Sequence, residues 1–215
     1  MTLVAISAAF GAGSTRIGPA VAERLGVPFL DRAIPLAVAE RLDVSPDDAD
    51  AHDEQSGARG RLERMLRGFI AHDAHVPTPL PADTFSAEDF RRATEAVLIR
   101  QAGTGEGVII GRGAVVVLRE DPRVLRVRLT GPAERRIEQA LTLGELERDT
   151  AARALRRFDR THSEYARQFY GVDIDDPALY HLVIDSTAIS LDGCVELITT
   201  AARSPARRSL ETSSA

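Results

Sequence analysis

The sequence predicts an α/β fold, and three observations predict it. Leu3 to Ala8 is a short apolar run that leads into Gly11 and Gly13 and then into an apolar-periodic segment, Ile17, Val21 and Leu25. That order reads as a buried strand, a glycine turn and a helix. A second apolar run, Gly107 to Ile110, ends in Gly111-Arg112-Gly113. A third, Val124 to Leu129, alternates as a strand does, and Gly131-Pro132 after it opens a further helix by the proline-at-N1 rule. Strands that alternate with helices build a parallel sheet.

The chain has 215 residues, room for one large domain or for one domain with a smaller lid or insertion. Its 44% hydrophobic content supplies a core, and a net charge of −5 argues against nucleic acid as the main partner. The single cysteine, Cys194, excludes an internal disulfide and metal–thiolate clusters and suits a reducing cytosol. No signal peptide and no membrane-length apolar run is evident, so the expected location is cytoplasmic, with no membrane partner. A homo-oligomer is compatible with the sequence, but nothing in it argues for one.

All 27 basic residues are arginine; lysine and asparagine are absent. Any phosphate clamp in this chain must therefore be built from planar, bidentate guanidinium groups rather than from the compact ammonium of lysine.

The opening loop is the first candidate site. Strand, glycine turn and helix together point backbone N–H groups and a helix N-terminus at an anion, usually a phosphate. Two nucleotide motifs compete for it. Against the P-loop pattern G-x-x-x-x-G-K-[ST], aligned on Gly13, the hydroxyl is present as Thr15, but Ala8 and Ser14 stand where glycine and lysine belong. Against the dinucleotide pattern G-x-G-x-x-G, Gly11 and Gly13 fit, Arg16 replaces the third glycine, and Asp31 after Val27–Leu30 is near the spacing of a ribose-binding acid. An ordinary strand-to-helix turn is the plain alternative.

Along the chain, the first helix is expected from about Thr15 to Leu25, starting late or bending at Pro19. Arg16, two residues from Ser14, does not share its helix face and reads as a solvated arginine as readily as a phosphate ligand. Ile34 to Leu42, a start at Ser45-Pro46-Asp47-Asp48, and the amphipathic Gly60 to Ile70 read as helices. The acidic run from Asp43 to Glu54 reads as a solvated face. His72 and His75 fall in a proline-rich connection with no third ligand nearby.

Ser86-Ala-Glu-Asp89 resembles a capping box that opens a helix through Val97 and Leu98, with Arg91 and Arg92 in its first turns. Arg112 emerges at the carboxyl edge of its strand, where ligands of open α/β sheets bind, and its flanking glycines permit close approach. From Glu145 to Arg167, the residues Arg153, Arg156, Arg157 and Arg160 fall at i, i+3, i+4 and i+7, one helix face. Such a face repels itself unless it meets phosphates or the carboxylates of Glu145, Glu147, Asp149 and Asp159. His181 to Thr187 reads as a closing strand, Leu191 to Ala202 as the last helix, and 204–215 as a disordered tail.

This ordered set resembles the cytidylate kinases, and more closely the cytidylate kinase-like family. The resemblance rests on Phe10–Gly18, which reads Phe-Gly-x-Gly-x-x-x-Ile-Gly, on Val108–Gly113, on the arginine-rich helix, and on Leu182–Ser190. It covers most of Leu3 to Ala202 and is weak through 45–90. It implies a three-layer P-loop fold of the nucleoside-monophosphate kinase type, a single domain over 1–203 with a parallel five-stranded sheet. The core would be 1–31, 101–141 and 171–203, the monophosphate-binding insertion 32–100 and the lid 142–170.

The same resemblance implies an ATP- and Mg²⁺-dependent phosphotransferase acting on small-molecule nucleotides. Gly11, Ala12, Gly13, Ser14, Thr15 and Arg16 would cradle the donor phosphates, with Thr15 the hydroxyl toward Mg²⁺. Asp185, Ser186 and Thr187 would line the donor base. Asp31, Arg32, Arg91, Arg92 and Arg112 would form the acceptor site, with Arg112 on the acceptor phosphate. Arg153, Arg156, Arg157 and Arg160, above all the last two, would bridge donor and acceptor from the lid. The chain departs from the family at Ser14, at Ile110, where cytidylate kinases carry aspartate, and at Arg32, which aligns with a cytidine-binding serine. Two alternatives follow from the departures and from the loop: a nucleotide-binding protein with lost or weak catalysis, and a dinucleotide-binding oxidoreductase using Gly11, Gly13 and Asp31.

Overall fold

The computed structural model describes residues 3–30, 87–111, 113–144 and 147–204 of the chain. Its elements are β1 (Leu3–Ala8), α1 (Ser14–Leu25), α2 (Ala87–Gly103), β2 (Gly107–Ile110), α3 (Ala114–Val117), β3 (Val124–Thr130), α4 (Ala133–Thr142), α5 (Arg148–Tyr170), a 3₁₀ turn (Pro177–Leu179), β4 (Leu182–Asp185) and α6 (Leu191–Arg203). The strands form one parallel sheet in the order β2-β1-β3-β4.

All six residues of β1 are buried, as a central strand covered on both faces requires. Alternate side chains feed two cores. Val4 and Ile6 join Ile17, Val21, Val127, Leu129, Cys194 and Ile198, which places α1 and α6 on one face. Leu3 and Ala5 join Val97, Leu98, Ile109, Val115, Ala166 and Ile174, which places α2, α3 and the end of α5 on the other. Helices, sheet and helices make the three expected layers. A third cluster of Ile137, Ala151 and Leu155 closes the α4–α5 pair over Phe10.

Among the described residues four strands stand where five were expected. The fifth is reduced to a single parallel bridge, Phe29 to Val108. Around it Val108 N–H donates to the Pro28 carbonyl at 2.9 Å and Leu30 N–H to the Val108 carbonyl at 2.9 Å, and Pro28, which has no N–H to donate, stops the pairing on the amino-terminal side. Smaller corrections follow the same logic. Helix α1 begins at Ser14 and carries Pro19 inside it, so it starts early rather than late. Pro132 is the N-cap of α4 and not its first helical residue. The short helix α3 was not foreseen.

Helix α2 begins at Ala87, directly after the proposed capping residue. The segments expected as helices between 34 and 70, His72 and His75, and the tail from 205 onward lie outside the described residues. Among the described residues no helix is long and apolar enough to cross a membrane.

Candidate functional site

Because the strands are parallel, their carboxyl ends share one edge of the sheet, and the loops after β1, β2, β3 and β4 gather there. The loop after β1 turns on two glycines. Gly11 and Gly13 are left-handed, at φ 73° and 72°, a region open to glycine at little strain. The Gly13 carbonyl accepts from Arg16 N–H at 3.1 Å and Ile17 N–H at 3.0 Å, which starts α1. The amides of Gly11, Gly13 and Ser14 have no hydrogen-bond partner among the described residues. Unpaired amides at a helix N-terminus form a site for an anion.

A clasp of side chains fixes this loop from the carbonyl side. Arg136, in the first turns of α4 and buried, donates from Nη1 to the Phe10 carbonyl at 2.9 Å and from Nε to the Gly131 carbonyl at 2.9 Å. Its Nη2 donates to Asp159 Oδ2 at 2.7 Å, and Asp159 Oδ1 accepts from Phe10 N–H at 3.0 Å. Gln139, one turn after Arg136, donates to the Gly11 carbonyl at 3.0 Å. Ser186 is fully buried, and its hydroxyl donates to the Ala12 carbonyl at 2.8 Å. With the carbonyls engaged this way, the amides are left for a ligand.

Two glycines are required by close approach, and Gly11 by its left-handed conformation as well. A Cβ on Gly11 would lie 2.3 Å from the Arg136 carbonyl oxygen, and one on Gly18 would lie 2.3 Å from Ile110 Cδ1. Gly18 therefore lets α1 settle directly on β2.

Ser14 is partly buried and Thr15 and Arg16 are exposed on the first turn of α1. Asp185 ends β4, and its carboxylate accepts from Thr187 N–H at 3.0 Å and from the Thr187 hydroxyl at 2.6 Å. That hydroxyl, with smaller help from the Thr187 amide and Arg135, holds the Asp185 pKa below its ordinary value. The turn packs on Gly131, where a Cβ would lie 2.7 Å from Asp185 Oδ1. The loop of 11–13, the 131–132 turn and the 185–187 turn are thus in mutual contact.

The arginines of α5 divide differently. Arg153, Arg156, Arg157 and Arg160 all lie on the exposed side of the helix. Arg160 pairs with Glu164 at 2.8 Å, and Arg153 donates to Thr150 Oγ1 at 3.2 Å. Asp159, a candidate partner for that face, sits around the helix from it and serves Arg136 instead. Arg91 pairs with Glu95 one turn on in α2, and Arg92 is exposed. Arg112, Asp31 and Arg32 lie outside the described residues. The neighbour of Arg112, Gly113, is left-handed at φ 71°, and a Cβ there would lie 3.0 Å from Tyr170 Cε2 at the end of α5.

Arg136, Gln139 and Asp159 are the residues that the sequence reading did not single out for the loop. Arg136 and Gln139 share a helix face directly after the carboxyl end of β3, and that placement was the available signal. Nothing local in the sequence marks Asp159, whose contacts are with residues 23 and 149 positions away.

The model of the Cytidylate kinase-like family matches residues 3–188. A cytidylate kinase of Methanocaldococcus jannaschii is 24% identical over 147 residues, covering 65% of this chain and 83% of that protein. A crystal structure of an uncharacterised protein from Eubacterium ventriosum superposes with a TM-score of 0.65 at 16% identity, over 95% of this chain and 100% of that one, which shows a shared fold. The family match spans the loop after β1, the Gly107–Gly113 strand and loop, the arginine-bearing helix α5 and the turn after β4, and the chain belongs to the cytidylate kinase-like family.

Proposed function

We propose that the protein is an ATP-dependent nucleotide kinase of the cytidylate type, transferring the terminal phosphate of ATP to a nucleoside monophosphate. The observation that carries this reading is the loop after β1. Its glycines are left-handed, its carbonyls are engaged by Arg136, Gln139 and Ser186, and its Gly11, Gly13 and Ser14 amides are unpaired among the described residues. Donor phosphates held by those amides need no lysine.

Phosphoryl transfer asks the protein for positioning and charge neutralisation rather than covalent chemistry. Gly11 to Arg16 hold the donor phosphates, and the turn at Asp185–Thr187, of which Asp185 and Thr187 are partly exposed, receives the donor base. Arg157 and Arg160, with Arg153 and Arg156 on the same face of α5, supply cationic charge to the transferring group when residues 142–170 close as a lid. Arg112, with Arg91, Arg92, Asp31 and Arg32, holds the acceptor. Mg²⁺ carried with ATP would supply charge neutralisation, and Thr15, exposed on the first turn of α1, is the residue whose hydroxyl would hold it, a sparse contribution of the kind usual for magnesium on a nucleotide.

One observation favours a second reading, nucleotide binding with little turnover. Asp159 places a carboxylate on the Phe10 amide at the edge of the loop, and Ser14 stands where a cation would draw the outer phosphates in. Incubation with ATP·Mg²⁺ and a panel of nucleoside monophosphates separates the two. Acceptor-dependent ADP formation supports the kinase. ATP binding without ADP formation favours the second reading, and absence of both overturns the assignment of the loop.

A further inference from the structure

A polar cavity of about 300 Å³ opens between the sheet and α5. Its lining includes Arg128 and Thr130 of β3, Arg136 of α4, Asp159 and His162 of α5, and Asp175 and Tyr180 of the connection to β4. It shares one wall with the phosphate loop, the Arg136–Asp159 pair, but nothing in the proposed transfer uses Arg128 or His162.

Arg128 makes this cavity unusual. It is 6% exposed in a strand, between Ser7 of β1 and the connection after α5. Its Nη1 donates to Ser7 Oγ at 2.8 Å and its Nη2 to Asp175 Oδ1 at 2.5 Å. Its Nε is buried with no hydrogen-bond partner among the described residues. A buried guanidinium with an unmet donor is costly, and the Asp175 side chain that offsets it is 67% exposed. We propose that this cavity binds a small oxyanion, a carboxylate or a phosphate, received by Arg128 from the sheet and His162 from the helix.

Charge in the cavity couples its occupancy to a proton. Arg128 and Arg136 are matched by Asp159 and Asp175, so a monoanion entering alone leaves one uncompensated negative charge. His162 can supply the balance by taking up a proton. In the empty cavity burial, and then the positive field of Arg128, hold its pKa down to about 4 against the weaker pull of Asp159 and Asp175. An anion beside it reverses part of that shift. The groups facing His162 are Arg128 from β3, Arg136 from α4, Asp159 from its own helix, and Asp175 and Tyr180 from the connection. Tyr180 already donates its hydroxyl proton to the Ile174 carbonyl at 2.6 Å. Anion binding therefore takes up a proton and tightens as pH falls toward 5. Because the occupant spans β3 and α5, it also ties the arginine-bearing helix to the sheet. This inference does not depend on the kinase reading.

The test is titration of the ¹⁵N-labelled whole chain with inorganic phosphate and, separately, malonate, following the Arg Nε–H signals, with Arg128 assigned through Arg128→Met. The expected result is a saturable shift of the Arg128 signal by one or both anions, the effective one naming the ligand chemistry. Beyond the anions' own titration, affinity should rise about two- to fourfold between pH 7.5 and pH 5, and that rise should vanish in His162→Gln. An unmoved Arg128 signal at millimolar anion overturns the proposal, even if Arg128→Met itself fails to fold. So does anion binding that survives Arg128→Met, which would place the ion elsewhere, as on the phosphate loop.

Discussion

Asp159 and Arg136 join the arginine-bearing helix to the loop after β1: the carboxylate is 2.7 Å from the guanidinium, and both groups hold the backbone of Phe10, one through its N–H and the other through its C=O. One residue of the loop is thus read on both sides by a single ion pair. The Arg136 side chain is 8% exposed and Asp159 31%, so the pair is only partly screened by water.

Removing the carboxylate leaves a buried guanidinium without its anion. Asp159→Ala is expected to lower stability by about 1–3 kcal/mol, the range for stranding one member of a partly buried charged pair. Urea unfolding measures it, and an unchanged midpoint would remove Asp159 from the clasp.

Two left-handed glycines give a matched comparison. Gly11→Ala combines a φ of 73° with a Cβ 2.3 Å from a backbone oxygen, whereas Gly144→Ala has a φ of 78° and open space. The first should lose roughly 3 kcal/mol or more and the second about 1 kcal/mol. Equal losses would mean that the loop moves away from Arg136 at little expense.

The parts of this architecture that depend on local pattern were legible in the sequence. The run Leu3–Ala8, the glycine turn at Gly11 and Gly13 and the 3.6-residue period of α1 stand as read, because period and glycine chemistry act within a few residues. The expected fifth strand is a single bridge among the described residues, and Pro28, whose apolar character hid its missing donor, stops the pairing on the amino-terminal side. The clasp on the loop was not legible, since Arg136, Asp159 and Ser186 reach it from 126, 149 and 174 positions away. The arginine face of α5 was read correctly as a face, and its partner was not: helical geometry gave the spacing, but Asp159 points to a contact that only the tertiary fold supplies.

Acid should act through His162. Its pKa is about 4 in the folded chain, held there by burial and by Arg128, and near 6.5 when unfolded. Between those values the unfolded chain binds more protons, so stability falls as pH drops from about 6.5 to 4. His162→Gln should flatten that part of the profile relative to wild type. A profile of unchanged slope would mean that His162 is not held neutral.

The missing lysine can be restored. Ser14→Lys places an ammonium beside the unpaired amides and should tighten ATP binding about tenfold, or about 1.4 kcal/mol. Unchanged or weaker affinity by calorimetry would mean that this loop does not hold phosphates in the manner proposed.

The most direct test of an arginine-only phosphotransferase is acceptor-dependent ADP formation at saturating ATP·Mg²⁺, with wild type beside the double variant Arg157→Ala/Arg160→Ala. Both positions are exposed, so the fold should survive. The account predicts turnover by wild type and a loss of about 100-fold or more in kcat for the variant, with ATP affinity altered by less than about threefold, as expected of charges that act on the transferring group. Equal turnover by the two proteins would contradict it.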